Sequence, residues 1–187
     1  MNGEMEQLLV QLAEREQSRF YGKYRGIVRD IDESLCLIKA EVPAIYEEQQ
    51  SPWAVPALPF AGGSHGLVLL PEVGDGVWIE FEAGDIDRPI WSGCWFASGE
   101  QPDPAGVRKR VLGTSTGHKI VLDEDRNEIQ IQHPGGAEFT MSDSDIVLKL
   151  GICELKITSS EINLNNGMVK VTVAGASLAN DAFKVGV

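Results

Sequence analysis

CELKITSSEINLNNGMVKVTV, residues 153–173, is the stretch whose reading decides the fold. It divides into three short strands joined by Ser, Asn and Gly, each carrying an apolar pair at alternate positions. Alternation with a period of two places Leu155 and Ile157, Ile162 and Leu164, and Val169 and Val171 on one face of a sheet. Lys156, Asn163 and Lys170 fall on the other. No helical pattern follows that would cover the apolar face.

The same unit extends upstream. Strand-like pieces begin at His118, Glu128, Ala137, Asp145, Cys153, Glu161 and Met168, at intervals of 10, 9, 8, 8, 8 and 7 residues. The earlier pieces contribute Ile120 and Leu122, Ile129 and Ile131, Phe139 and Met141, and Ile146 and Leu148. A short period of this kind signals a stacked architecture.

Energetics decide what covers the stripe. Ordering eight residues of backbone costs on the order of 8–16 kcal/mol. Two large apolar side chains return roughly 3–6 kcal/mol, and only when fully buried. One chain with layers this thin cannot bury them. Identical chains wound together can, each forming one wall of a shared prism. The expectation is a homotrimer, an intertwined β-helix over residues 112–173 whose core is the fourteen side chains named above.

Residues 20–96 have a different character. Runs rich in β-branched and aromatic residues, broken by Gly, Pro and Asp, predict strands at 22–32, 35–42, 66–70, 76–82 and 89–95. Val77, Ile79 and Phe81 alternate with Trp78, Glu80 and Glu82. Five short strands with a long connection after the second fit a five-stranded OB-fold barrel. Residues 97–111, with Pro102, Pro104, Gly99 and Gly106, read as a linker, and Arg108–Lys109–Arg110 as a solvated strand entrance. At the N-terminus, Met5, Leu8, Leu9 and Leu12 fall at helical spacing, predicting an amphipathic helix within residues 1–19. The predicted class is all-β with this one helix.

Composition narrows the function. A net charge of −12 spread along the chain disfavours nucleic acid, whose phosphates are bound chiefly by Lys and Arg. No stretch has the roughly 18–20 apolar residues that span a bilayer, and the N-terminus lacks the pattern of a secretory signal, so synthesis in the cytoplasm is expected. Cys36, Cys94 and Cys153 are odd in number and make no CxxC, which reads as buried free thiols with no metal or redox role.

YRGIVRDID (24–32), SPWAVPALPFAG (51–62), LPEVGDGVWIEFEAGDIDRPIWSG (70–93) and GTSTGHKIVLDED (113–125) together resemble, in order, the central spikes of contractile injection machines. These are phage baseplate assembly protein V, the VgrG spike of type VI secretion, and the spikes of pyocins and extracellular contractile injection systems. The resemblance covers about residues 20–173. It implies a structural, non-enzymatic spike in a bacterial particle or virion, which plugs the tube at the baseplate and enters the target cell envelope on contraction. It also implies a hub protein as partner, with Met5, Leu8, Leu9 and Leu12 as candidate contacts. Residues 174–187 either close the tip or receive a small capping protein. Two features depart from larger relatives. No lysozyme-like domain is expected within this length, and His65, His118 and His133 form no His-x-His motif for a tip iron.

Competing chemistries are weaker. GGSHG (62–66) matches the nucleophile elbow of hydrolases, but a proline-rich loop precedes it where the elbow needs a strand. A carbohydrate-active β-helix enzyme would need paired carboxylates along a groove. Asp123, Glu124 and Asp125 read instead as a solvated turn. A nucleic-acid-binding OB protein would stack bases on Tyr21, Tyr24, Trp53 or Trp78, but lacks a positive groove.

Overall fold

The computed structural model describes residues 19–186, together with Met5, Gln7 and Val10. The expected N-terminal helix and its residues Leu8, Leu9 and Leu12 lie outside the described residues; Met5 is helical and exposed. The chain divides into two units, Met1–Glu100 and Gln101–Val187. Among the described residues no helix is long and apolar enough to cross a membrane.

The first unit is a small barrel. Its strands are β1 (Tyr24–Asp32), β2 (Leu37–Glu41), β3 (Val55–Pro56), β6 (Gly76–Phe81) and β7 (Pro89–Trp95), in the sheet order β2-β1-β6-β7-β3. A hairpin of β4 (Ala61–Gly62) and β5 (His65–Gly66) and a short helix, α1 (Pro43–Tyr46), complete the unit. Closure comes at one place: β3 runs parallel to β7, while the preceding Ala54 bridges Ile38 of β2 through two backbone hydrogen bonds of 2.8 and 3.3 Å. Register shifts in β1 at Val28/Asp30 and between β6 and β7 at Val77/Ile79 bend the sheet into a tube.

The alternation in β6 has the expected effect. Val77 and Ile79 are completely buried, Phe81 nearly so, and with Val28, Ile38, Ala40, Val42, Ala54 and Trp91 they form one core. Tyr46 closes on it, its hydroxyl donating to the Ile86 carbonyl at 2.5 Å. The strand expected at 66–70 is not formed. Leu67, Val68 and Leu69 are exposed and lie outside any strand, and of that run only Leu70 packs on the core. An unbroken apolar run offers no alternation to choose a buried face, whereas Ala54 and Val55 lie where the barrel needs its last strand.

The glycines of the 74–76 turn have separate roles. Gly74 has φ +103°, open only to glycine without strain. Gly76 is there for space: a Cβ would lie 2.5 Å from the Trp95 ring.

The second unit is a ladder of ten antiparallel strands in strict chain order: β8 (Lys109–Gly113), β9 (Lys119–Asp123), β10 (Glu128–Gln132), β11 (Ala137–Met141), β12 (Asp145–Leu150), β13 (Cys153–Thr158), β14 (Glu161–Leu164), β15 (Val169–Thr172), β16 (Gly175–Leu178) and β17 (Phe183–Gly186). The ladder starts inside the segment expected as a linker and continues through 174–186, so the expected tip residues are two more rungs. Left-handed turn residues such as Asn127, Gly136, Asn165 and Asn166 reverse the chain between rungs.

Candidate functional site: an uncovered apolar face

Register turns the alternation into geometry. One row across the ladder reads Arg110, Leu122, Ile129, Met141, Ile146, Ile157, Ile162, Val171, Ala176, Val185. The row beside it reads Leu112, Ile120, Ile131, Phe139, Leu148, Leu155, Leu164, Val169, Leu178, Phe183. Apart from Arg110, every position is apolar. All fourteen core candidates lie in these rows, directly opposite one another across neighbouring strands. The sequence reading missed Leu112, Ala176, Leu178, Phe183 and Val185. The period-two spacing of Ala176 with Leu178 and of Phe183 with Val185 was the available signal, obscured by the small residues between them.

The apolar face of this ladder stands open. None of the fourteen is buried, and Ile120, Leu122, Ile129, Ile131, Met141, Leu148, Ile162, Leu164 and Val171 are 38–49% exposed. On the opposite face Val121, Asp123 and Ser177 are buried, and Gln130, Thr140, Lys156, Asn163 and Lys170 are half-buried. A groove of about 920 Å³ runs along the apolar side, lined by Ile120, Ile131, Phe139, Leu148, Leu155 and Leu164 among others. Covering the exposed half of fourteen such side chains is worth about 10–20 kcal/mol per chain.

The polar face is self-satisfied. Lys156 Nζ lies 2.7 Å from Asp145 Oδ2, Lys170 Nζ 2.5 Å from Glu161 Oε2, and Lys109 Nζ 3.4 Å from Asp123 Oδ2. The hydrogen bond from Lys156, helped by Ser142, holds the Asp145 carboxyl below its ordinary value, and Lys170 does the same for Glu161. The two ammonium groups are held above theirs. These cross-strand pairs on half-exposed side chains fix register and contribute little stability.

The other singled-out residues fall into structural places. Asp123 Oδ1 accepts the N–H groups of Asp125 and Arg126 at 3.0 and 3.2 Å, while Arg108 pairs with Asp125 and Arg110 with Glu124. The acidic cluster and the basic triplet thus neutralise each other across one turn. Ser64 sits in the β4–β5 hairpin turn with φ 64°, and extended chain follows it, which is not an elbow. Tyr24 packs against Phe81 at 5.5 Å, Arg25 lies over Trp78 at 5.6 Å, and Lys39 covers Trp53 at 4.7 Å, while Tyr21 is exposed. The thiols differ from expectation: Cys36 is half-buried, while Cys94 and Cys153 are exposed, because each lies on the less covered side of its strand. Among the described residues no three potential metal ligands come together.

Comparison with known proteins bears on the barrel. Residues 24–96, the barrel, match the family model of the type VI secretion system/phage-baseplate injector OB domain. That segment is an injector OB domain of this class, and through it the chain is similar to VgrG-like, baseplate-V-type proteins. One relative is the actin cross-linking toxin VgrG1 of Vibrio cholerae serotype O1, 33% identical over 94 residues. The match covers 49% of this chain and 8% of that toxin.

Proposed function

We propose that this chain is the central spike of a contractile tail or injection machine, acting as a homotrimer. Three copies turn their apolar rows toward one another and form a shared dry core. The prism so built is the shaft that enters the target envelope when a sheath contracts. The barrel and residues 1–19, through Met5, Leu8, Leu9 and Leu12, seat the trimer on a baseplate hub, and the last rungs close the tip or receive a small cap. The role is mechanical, and the chain travels from the cytoplasm into a virion or injection particle.

The observation that carries this reading is the open, continuous apolar face. A sheet whose two adjacent apolar rows run uncovered along its whole length is half of an interior. The barrel's match to an injector OB domain supports the reading, and the stacked ladder supplies a rod suited to transmit force.

The test is to purify contractile particles carrying a tagged chain. The expected result is three copies per particle, located at the baseplate centre by electron microscopy. Intact, functional particles from a strain lacking the chain would refute the assignment.

A further inference from the structure

The ladder has two unlike edges. On one lie the turns 114–118, 133–136 and 151–152; on the other lie 124–127, 142–144 and 159–160. The first edge carries His118 and His133, whose rings meet edge to face at 4.8 Å. His133 Nδ1 accepts the Gly135 N–H at 2.9 Å, which makes Nε2 the proton-bearing nitrogen of that ring. His118 Nδ1 lies 3.0 Å from Thr116 Oγ1. Neither ring has a carboxylate partner among the described residues. The second edge carries Asp143, to which Asn127 donates its side-chain N–H, together with Arg126 and with Glu124 and Asp125, which are already paired with Arg110 and Arg108.

We propose that these edges are the two halves of one contact between copies of this chain: the histidine edge of one subunit seats against the carboxylate edge of the next. This rests on the trimer reading and adds to it which residues meet. Three observations support it. A closed ring generated by rotation alone joins unlike surfaces head to tail, so the left edge of each wall must meet the right edge of its neighbour. Rotation without translation also keeps equivalent strands level. The turns on the two edges alternate along the ladder. For strands running square to the axis, turn 133–136 therefore lies level with the gap between turns 124–127 and 142–144, which are two strand spacings, or about 10 Å, apart. Finally, the turn that would enter that gap is small: it is His-Pro-Gly-Gly, with open space where a Gly136 Cβ would be. His133, exposed at the rim of the apolar groove, then comes within reach of Asp143 on the next subunit.

Disulfide trapping tests this in the full chain after Cys36, Cys94 and Cys153 are changed to Ser. Two paired variants are made, His133→Cys with Asp143→Cys, and His133→Cys with Asn127→Cys. A bond within one chain is out of reach. Each pair is separated by a five-residue strand, about 16 Å, and a disulfide requires Cα atoms within about 7 Å. Mild oxidation and denaturing, non-reducing electrophoresis should show, for at least one pair, covalent dimers and a covalent trimer that reduction removes. A preparation with three times the chain mass but no cross-link in either pair overturns the edge assignment and leaves the trimer standing. Cross-linking by His133→Cys alone, or a ladder running past three chains, also overturns it. A single-chain mass for the unsubstituted protein removes the trimer reading and this inference with it.

Discussion

Replacing Leu155 with Asp puts a carboxylate at the middle of the apolar face, between Leu148 and Leu164 on the neighbouring strands. In a shared core, each chain loses about 1.5–3 kcal/mol of leucine burial. Each buried carboxylate adds a desolvation cost of several kcal/mol. Both effects occur three times in one layer, so the penalty reaches on the order of 15 kcal/mol per assembly. The gross gain of covering the apolar rows is largely offset by the cost of association and side-chain ordering, so a penalty of this size removes most of the net affinity. Sedimentation velocity should therefore show dissociated chains at micromolar concentration, with a lower melting temperature than the parent. Lys156→Gln, one residue away on the opposite face, should leave the mass unchanged, since it removes only the half-exposed contact with Asp145. If the single sheet were the finished molecule, the new carboxylate would face water and cost about 0.5 kcal/mol or less. A Leu155→Asp protein that sediments and melts like its parent would refute the reasoning.

Gly76→Ala should destabilise the barrel by about 1–3 kcal/mol. The new methyl collides with the Trp95 ring and strains its 3.1 Å bond to the Val77 carbonyl; unchanged tryptophan emission and melting would contradict this. Tyr46, pushed up to about 12 by burial and then by Asp87 and Asp85, should contribute an ionisation near pH 12 in an ultraviolet titration. Because its folded value is raised, its contribution to stability is present below pH 10 and fades as pH rises toward about 12. The ladder should show a broad plateau of melting temperature against pH. The depressed Asp145 and Glu161 contribute above their ordinary 3.8 and 4.5 and lose that contribution on acidification. The raised Lys156 and Lys170 lose theirs as pH climbs past 10.5. A maximum confined to either extreme would contradict the pairing.

How much of this was legible in the sequence depends on the kind of pattern. Ile129 with Ile131 and Leu155 with Ile157 announce a strand face by alternation alone, and the register of the ladder then aligns every such pair. Val77, Ile79 and Phe81 announce the barrel core in the same way. Leu67–Leu69 misled because an apolar run without alternation does not name a face, and the strand that closes the barrel, Val55–Pro56, is too short and proline-rich to show a period. The exposure of Cys94 and Cys153 was hidden because an apolar neighbourhood in sequence does not say which side of the strand is covered. The opposed edges of the ladder were likewise invisible, since turns 133–136 and 142–144 acquire their relation only once the strands are stacked.

Sedimentation equilibrium on the isolated, unsubstituted chain tests the central claim most directly. A mass of three times 20.4 kDa, unchanged on dilution through the micromolar range, is the predicted result. A stable, well-folded species of 20.4 kDa would contradict it, because the apolar rows would then face water with nothing to cover them.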